Sequence, residues 1–242
     1  MQQNGAQLGD DGQIFLSLME QLSRPLLQIA RMSELAQSGA PADAAETAAR
    51  WQMVQTIADG SLQLAESYAL SLRLHGQATP LHVEPVAVSS LLYDTAQALT
   101  PLARHYAVEL QLDTGPKMQP ILADRVVLQS ALTSLGQVFV MAQAEADEQA
   151  PVRLSAHRSR YGVVAGLYGN QPELGTDSLR RAQHLGGIAR QPLQKLVSGP
   201  AAGVFVADSL LRALSARLHV ARYHKLAGLA ATLQSSQQLE LI

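Results

Sequence analysis

The side chains that could carry out chemistry are few and far apart in this sequence. It contains seven histidines and no cysteine, which excludes disulfides, thiolate metal sites and cysteine nucleophiles. His219 and His224 lie on a predicted strand, and their odd spacing points them to opposite faces, so they make a poor metal pair. A basic patch, which we interpret as a solvated face, consists of Arg180, Arg181, His184 and Arg190. There is no nucleophile elbow, phosphate-binding loop or zinc-protease string, so these residues predict no enzyme and no metal site by themselves.

The composition indicates a soluble, helix-rich chain of one or two domains. Of its 242 residues, 47% are hydrophobic and 16% are charged, and the formal net charge is -2. These values exclude disorder and argue against a nucleic-acid partner. The apolar runs are shorter than the roughly 20 residues of a membrane span, and residues 1–12 have no secretory pattern. We therefore expect a cytoplasmic protein without membrane insertion, with residues 1–12 as a flexible lead-in.

The first part of the chain has the pattern of a helical hairpin. Apolar residues recur every three or four positions from Ile14 to Gln37, with Pro25 in the middle, and again from Asp43 to about Leu74. Asp43 and Glu46 form a predicted capping box at the start of the second helix. The apolar stripes are too wide to be buried between two helices, so we expect a second copy to complete a four-helix bundle. The alternative is an ordinary packing unit of a monomer.

The second part changes character after a predicted linker at residues 77–85. We expect a helix from Val88, short strands near residues 108–112 and 121–122, and a helix capped by Asp124. Two strands then meet around Tyr161 and Gly162, and a helix over residues 201–216 precedes a terminal strand pair. Helices and strands without regular alternation predict an α+β fold, with helices packed on a mixed sheet.

The first helix carries a string that resembles bacterial sensor histidine kinases. Residues 15–26 read FLSLMEQLSRPL, which is similar to the family's Phe-Leu followed by Ser-His-Glu-Leu-Arg-Thr-Pro-Leu. This resemblance accounts for Pro25 and places Glu20 at the phosphoacceptor histidine and Gln21 at its acidic neighbour. A carboxylate lacks the nitrogen lone pair that attacks the γ-phosphate, so the resemblance implies no autophosphorylation at this position.

The family's nucleotide-binding strings are altered at many positions. Ser134 and Val138 stand where the resemblance predicts two asparagines, the second of which supplies a magnesium ligand. Residues 169–174 read GNQPEL in place of Asp-Asn-Gly-Pro-Gly-Ile. Asn170 is retained, whereas the adenine-reading aspartate and both glycines are replaced by Gly169, Gln171 and Glu173.

The glycine-rich string near the last helix is also incomplete. Residues 199–204 read GPAAGV in place of Gly-Thr-Gly-Leu-Gly-Leu. Gly199 and Gly203 are retained, but Pro200 has no amide to offer a phosphate, and Ala201 adds a Cβ.

The resemblance, from about Phe15 to Thr232, implies a histidine-kinase core in which scaffold residues are kept and ATP-binding residues are lost. It implies residues 13–76 as the dimerisation hairpin and residues 86–242 as a degenerate GHKL (Bergerat-like) sandwich. The leading hypothesis is a pseudokinase adaptor without a cofactor. It would bind a receiver domain or another kinase through Glu20, Gln21 and Arg24, although Glu20 could also be an ordinary solvated residue. The chain also resembles the histidine phosphotransferases with a degenerate ATPase-like domain, but it departs from them at the acceptor histidine. The alternatives are a divergent ATP-binding kinase, or a phosphotransferase that uses a non-standard acceptor.

Overall fold

The computed structural model describes residues 18–19, 22–23, 25–36, 43–115, 118–146, 150–171, 174, 179 and 202–236. The described residues up to 36 belong to a helix, α1. Four further helices follow: α2 (Ala44–His75), α3 (Val88–His105), α4 (Arg125–Ala144) and α5 (Ala202–Ala213). All four helices fall where the sequence pattern predicts them.

Two aspartates begin helices as the sequence predicts. Asp43 accepts a hydrogen bond from the Glu46 amide at 2.6 Å, whereas the Glu46 carboxylate pairs with Arg50 instead of completing a capping box. Asp124 accepts from the amides of Val126 and Val127 through Oδ1, at 3.0 and 3.1 Å. Each carboxylate thereby satisfies amides that have no partner within the helix.

One five-stranded sheet forms the centre of the second part of the chain. It consists of β2 (Leu110–Thr114), β4 (Val152–Ser159), β5 (Gly162–Gly169), β6 (Leu218–Tyr223) and β7 (Leu226–Leu233). The strand order is β2-β4-β5-β7-β6. The pair β2–β4 is parallel and the other pairs are antiparallel, so the sheet is mixed, as expected for an α+β fold.

A small second sheet lies where the sequence pattern predicts part of the linker. β1 (Glu84–Val86) pairs antiparallel with β3 (Ile121–Ala123), although β1 contains Pro85. The predicted linker at residues 77–85 therefore overlaps the first strand. Just before β1, the His82 amide donates to Asp124 Oδ2 at 2.9 Å, which ties this segment to the start of α4.

The hydrophobic core lies between the sheet and α3, α4 and α5. Fully buried side chains include Leu91 of α3, Leu128 and Leu135 of α4, Leu154 of β4 and Leu210 of α5. Among the described residues, α4 is the one helix long and apolar enough to cross a membrane, and 78% of its apolar window is buried inside the fold. That burial is typical of a core helix.

The hairpin helix α2 packs on the outside of the helical layer. Gln137 of α4 donates to the Gly60 carbonyl at 3.2 Å and to Gln63 Oε1 at 3.1 Å. At the other end, His75 Nδ1 lies 3.4 Å from Ser209 Oγ of α5. Not all of the predicted hairpin stripe is buried within one chain, because Trp51 remains 56% exposed.

Candidate functional site

Ser134 and Val138 lie on the face of α4 that packs against α5. Both are buried: Ser134 is 2% exposed and Val138 is 1% exposed. The Ser134 hydroxyl donates to the Ser130 carbonyl at 2.8 Å, so it is committed to its own helix. Val138 has no side-chain oxygen, and the Ser134 hydroxyl is buried.

Gly203, in the first turn of α5, makes the contact between these two helices very close. A Cβ atom at this position would lie 2.7 Å from Val138 Cγ2 and 2.8 Å from the Ser134 carbonyl oxygen. Such distances are shorter than van der Waals contact, so glycine is required here by backbone packing. The structure thus brings Ser134, Val138 and Gly203 together, as the family resemblance implies, but it does so in a tightly packed contact.

Gly169 ends β5 beside the same helix. A Cβ there would meet Phe139 Cδ1 at 3.3 Å, which shows that this position faces α4. Asn170 follows in a bend. Gln171 is buried, and its backbone N–H donates to the Gly169 carbonyl at 2.9 Å. Gly169 and Gly203 therefore both pack against residues 134–139 of α4. Phe139 belongs to this contact, and no motif of the sequence indicates it.

Several residues predicted to be functional lie outside the described part of the chain. They are Glu20, Gln21 and Arg24 of the hairpin, and Glu173, Gly199, Pro200 and Ala201 near the predicted nucleotide pocket. The basic patch at residues 180–190 is outside it as well.

The described positions do not fit a magnesium nucleotide. Magnesium prefers oxygen ligands, and a buried valine stands where the pattern requires one. Gly169 has no carboxylate with which to accept from an adenine amine. Val138 and Gly169 thus carry no side-chain oxygen at positions where the resemblance implies a magnesium ligand and an adenine contact.

A second polar cluster, which the sequence pattern did not indicate, lies on the opposite face of the sheet. The Tyr223 hydroxyl of β6 donates to Asp113 Oδ2 of β2 at 3.1 Å, and its ring stacks on His157 with centroids 5.5 Å apart. Burial, and secondarily Tyr223, raises the pKa of Tyr168 to about 12, so this phenol stays neutral. Desolvation lowers the pKa of His157 below its usual value.

Three buried atoms of this outer face have no hydrogen-bond partner among the residues described: Ser155 Oγ, His157 Nδ1 and Tyr168 Oη. Ser155 and His157 share one face of β4, and the β4–β5 hairpin brings Tyr168 to the same face.

His219 and His224, which the sequence predicts to be a poor metal pair, lie on different elements of the described structure. His219 is on β6, whereas His224 lies in the turn after it with φ of 46°, so the expectation that both lie on one strand is wrong for His224. His224 Nε2 is 3.8 Å from Asp113 Oδ2. Within the described ranges, no group of three His, Asp or Glu side chains is arranged to hold a metal ion.

A helical hairpin followed by helices on a mixed sheet, with a retained glycine where α5 meets α4, defines the fold of a histidine-kinase core with a GHKL-type domain. Solved structures share this fold. The histidine kinase AdeS of Acinetobacter baumannii matches with a TM-score of 0.54 at 14% identity, over 90% of this chain and 98% of that one. The histidine kinase ThkA, solved in complex with the response regulator protein TrrA, matches with a TM-score of 0.57 at 10% identity, over 96% of this chain and 64% of that one.

A bacterial phosphotransferase matches as well, with a TM-score of 0.50 at 11% identity, over 93% of this chain and 96% of that one. No family model matches the sequence, and no curated protein sequence matches it. At these identities the likeness concerns the fold.

Proposed function

We propose that this protein is a catalytically inactive, dimeric histidine-kinase-like adaptor of two-component signalling in the cytoplasm. The observation that carries the proposal is the contact of Val138 and Ser134 with Gly203. Gly203 of the family pattern is retained there and packs closely against α4. The buried Val138 stands where the family pattern has the asparagine that binds magnesium. In this proposal the protein acts by binding partners and not by nucleotide chemistry.

The partner in this proposal is a response-regulator receiver domain or another kinase. Support comes from the likeness to ThkA, which was solved in complex with a response regulator. In the proposal, Glu20, Gln21 and Arg24 contribute to the contact, since they occupy the motif positions around the phosphoacceptor site. Residues 13–76 would form the dimerisation unit and residues 86–242 the second domain.

The hairpin exposes an apolar surface suited to a second copy of the chain. Leu26 and Leu27 of α1 are 59% and 60% exposed, and Trp51 and Leu62 of α2 are 56% and 59% exposed. Several large exposed apolar side chains on the hairpin support an interaction surface there. Pairing two hairpins would cover them in a four-helix bundle.

The proposed absence of nucleotide binding is tested by thermal unfolding with Mg-ATP and Mg-ADP. We expect no change in melting temperature at millimolar nucleotide. A site occupied at 100 times its Kd would stabilise the protein by about 2.7 kcal/mol, which raises the melting temperature by about 5–11 °C at this chain length. A shift of that size would overturn the inactive-site proposal and favour the divergent kinase. The positive control is a nucleotide-binding histidine-kinase core.

The phosphotransferase alternative is favoured by one observation, the likeness to a bacterial phosphotransferase. It is tested by incubating the protein with radiolabelled phosphorylated receiver domains. We expect no label on this chain, because Glu20 occupies the acceptor position. Acid-labile label on the chain would support phosphotransfer instead.

The dimer is tested by light scattering coupled to gel filtration. We expect twice the 25.9 kDa chain mass for the wild type. Trp51→Glu should give the single-chain mass, because a charge in a buried apolar interface is costly. Tyr161→Glu is the matched control on a 70% exposed aromatic in the β4–β5 turn, and it should leave the dimer intact. A monomeric wild type would contradict the proposal.

A further inference from the structure

A cavity of about 400 Å³ lies where the hairpin meets the helical layer of the second domain. Helices α1, α2, α3 and α4 all contribute to its lining. It is separate from the α4–α5 contact at Gly203. Its volume is in the usual range for small-molecule sites, which is roughly 300–1,000 Å³.

The walls of the cavity are mainly apolar. Ile57 and Leu64 of α2 are 5% and 3% exposed, and Leu102 of α3 and Met141 of α4 complete this lining. An apolar cavity of about 150 Å³ holds benzene, so on that scale this one accommodates about sixteen non-hydrogen atoms.

Gln137 supplies one directed polar group in this lining. The residue is 6% exposed, and its Nε2 donates both hydrogens, one to the Gly60 carbonyl and one to Gln63 Oε1. These two bonds fix the amide plane. They leave Oε1 as an acceptor that receives no hydrogen bond from the described residues.

The remaining polar groups favour an uncharged occupant. Burial, and secondarily Glu145, raises the pKa of Tyr106, so this phenol in the lining is neutral. The charged lining residues, Arg31 and Glu145, are both exposed and have opposite signs. A charged ligand would lose its hydration without a buried counter-ion.

We propose that this cavity binds an uncharged, mainly apolar molecule of up to about sixteen non-hydrogen atoms that donates one hydrogen bond to Gln137 Oε1. Because its walls come from both the hairpin and the second domain, the bound molecule links these two parts. This site is independent of the proposed adaptor function, which rests on the α4–α5 contact.

The test uses the full chain and 2-naphthol, which has a flat apolar body and a single hydroxyl donor. By calorimetric titration we expect a Kd of about 0.1 mM, the affinity typical of a probe of this size. 2-Methoxynaphthalene has no donor and should bind about tenfold more weakly, because Gln137 Oε1 then stays unpaired. 2-Naphthoate should also bind more weakly. If 2-naphthoate binds more tightly than 2-naphthol, the proposal that the cavity takes uncharged molecules is wrong.

Gly60 offers a matched pair of variants. A Cβ at this lining position meets only Gln137 Nε2, at 3.9 Å, so a larger side chain starts in open space and also favours the helix. Gly60→Leu should fill the cavity and weaken 2-naphthol binding at least tenfold. Gly60→Ala should retain binding. Equal binding by wild type and Gly60→Leu would contradict the site.

Methyl NMR of the wild-type chain gives a readout that needs no variant. We expect nuclear Overhauser contacts from 2-naphthol to the methyl groups of Ile57 and Met141. Contacts confined to Leu26 and Leu62, which lie outside this lining, or no binding at 2 mM 2-naphthol, which is about twenty times the expected Kd, would overturn the proposal.

Discussion

Asp124 uses one carboxylate to bind three backbone amides, and its removal should destabilise the second domain strongly. Oδ1 accepts from Val126 and Val127 at the start of α4, and Oδ2 accepts from His82 at 2.9 Å. The residue is 9% exposed, so water replaces these bonds poorly. Loss of a helix cap costs about 1 kcal/mol, and loss of a hydrogen bond to a charged group costs about 2 kcal/mol.

Asp124→Ala should therefore lower the free energy of unfolding by about 3 kcal/mol, which corresponds to a melting temperature lower by about 6–12 °C. Asp124→Asn keeps an acceptor for the cap but presents its amide group to the His82 N–H. It should lose about 2 kcal/mol, which isolates the contribution of His82.

Urea unfolding followed by circular dichroism measures these differences. Asp43→Ala is the matched control, because Asp43 caps α2 through a single amide at an exposed site and should cost about 1 kcal/mol or less. Equal losses for Asp124→Ala and Asp43→Ala would refute the reasoning. That result would mean that the His82 bond contributes nothing to stability.

Three further outcomes follow from the packing and the outer-face cluster, and each is measured by urea unfolding. Gly203→Ala should lower the free energy of unfolding by about 1–3 kcal/mol through overpacking. Adding Val138→Ala to this variant should restore part of that loss, because the Ser134 carbonyl still limits the space. Unchanged stability of Gly203→Ala would contradict the close contact. Tyr168→Phe should stabilise by about 1 kcal/mol, because the hydroxyl is buried without a partner among the described residues; a loss above that size would reveal a partner. The lowered pKa of His157 means that the unfolded chain binds this proton more readily, so stability should fall as the pH drops below about 6.5. His157→Phe should reduce that dependence, and an unchanged pH profile would exclude His157 as its cause.

The local elements of the fold could be predicted from sequence because their signals are local. Asp43 and Asp124 each precede a helix and cap it as predicted, and the two-residue break at Arg160 and Tyr161 separates β4 from β5. The strand β1 could not be predicted in the same way. It has three residues, one of them Pro85, and its partner β3 is reached only after α3 and β2.

The features that depend on distant residues were beyond sequence patterns. The turn at His224 and Lys225 has φ of 46° and 68° without a glycine or asparagine to indicate it. Tyr223 meets Asp113 although β6 and β2 are the two edge strands of the sheet, a contact that no sequence pattern indicates. For the candidate site, the role of the motif positions on α4 and α5 stays a prediction. Their close contact, with 2.7 Å between a Cβ at Gly203 and Val138 Cγ2, could be seen only in the structure.

The contacts of residues 234–236 mean that the small sheet can be completed only late in chain synthesis. The Leu122 amide donates to the Gln234 carbonyl at 3.1 Å, and the Ser236 amide donates to the Pro120 carbonyl at 2.7 Å. Between these two bonds, Ile121 of β3 forms a bridge with Ser235. During translation β1 and β3 are synthesised long before residues 234–236, so the small sheet of the nascent chain lacks these contacts until those residues are added. A nascent chain stalled before residue 234 should expose β3 to proteases and chaperones, and the arrival of Ser236 should end that exposure.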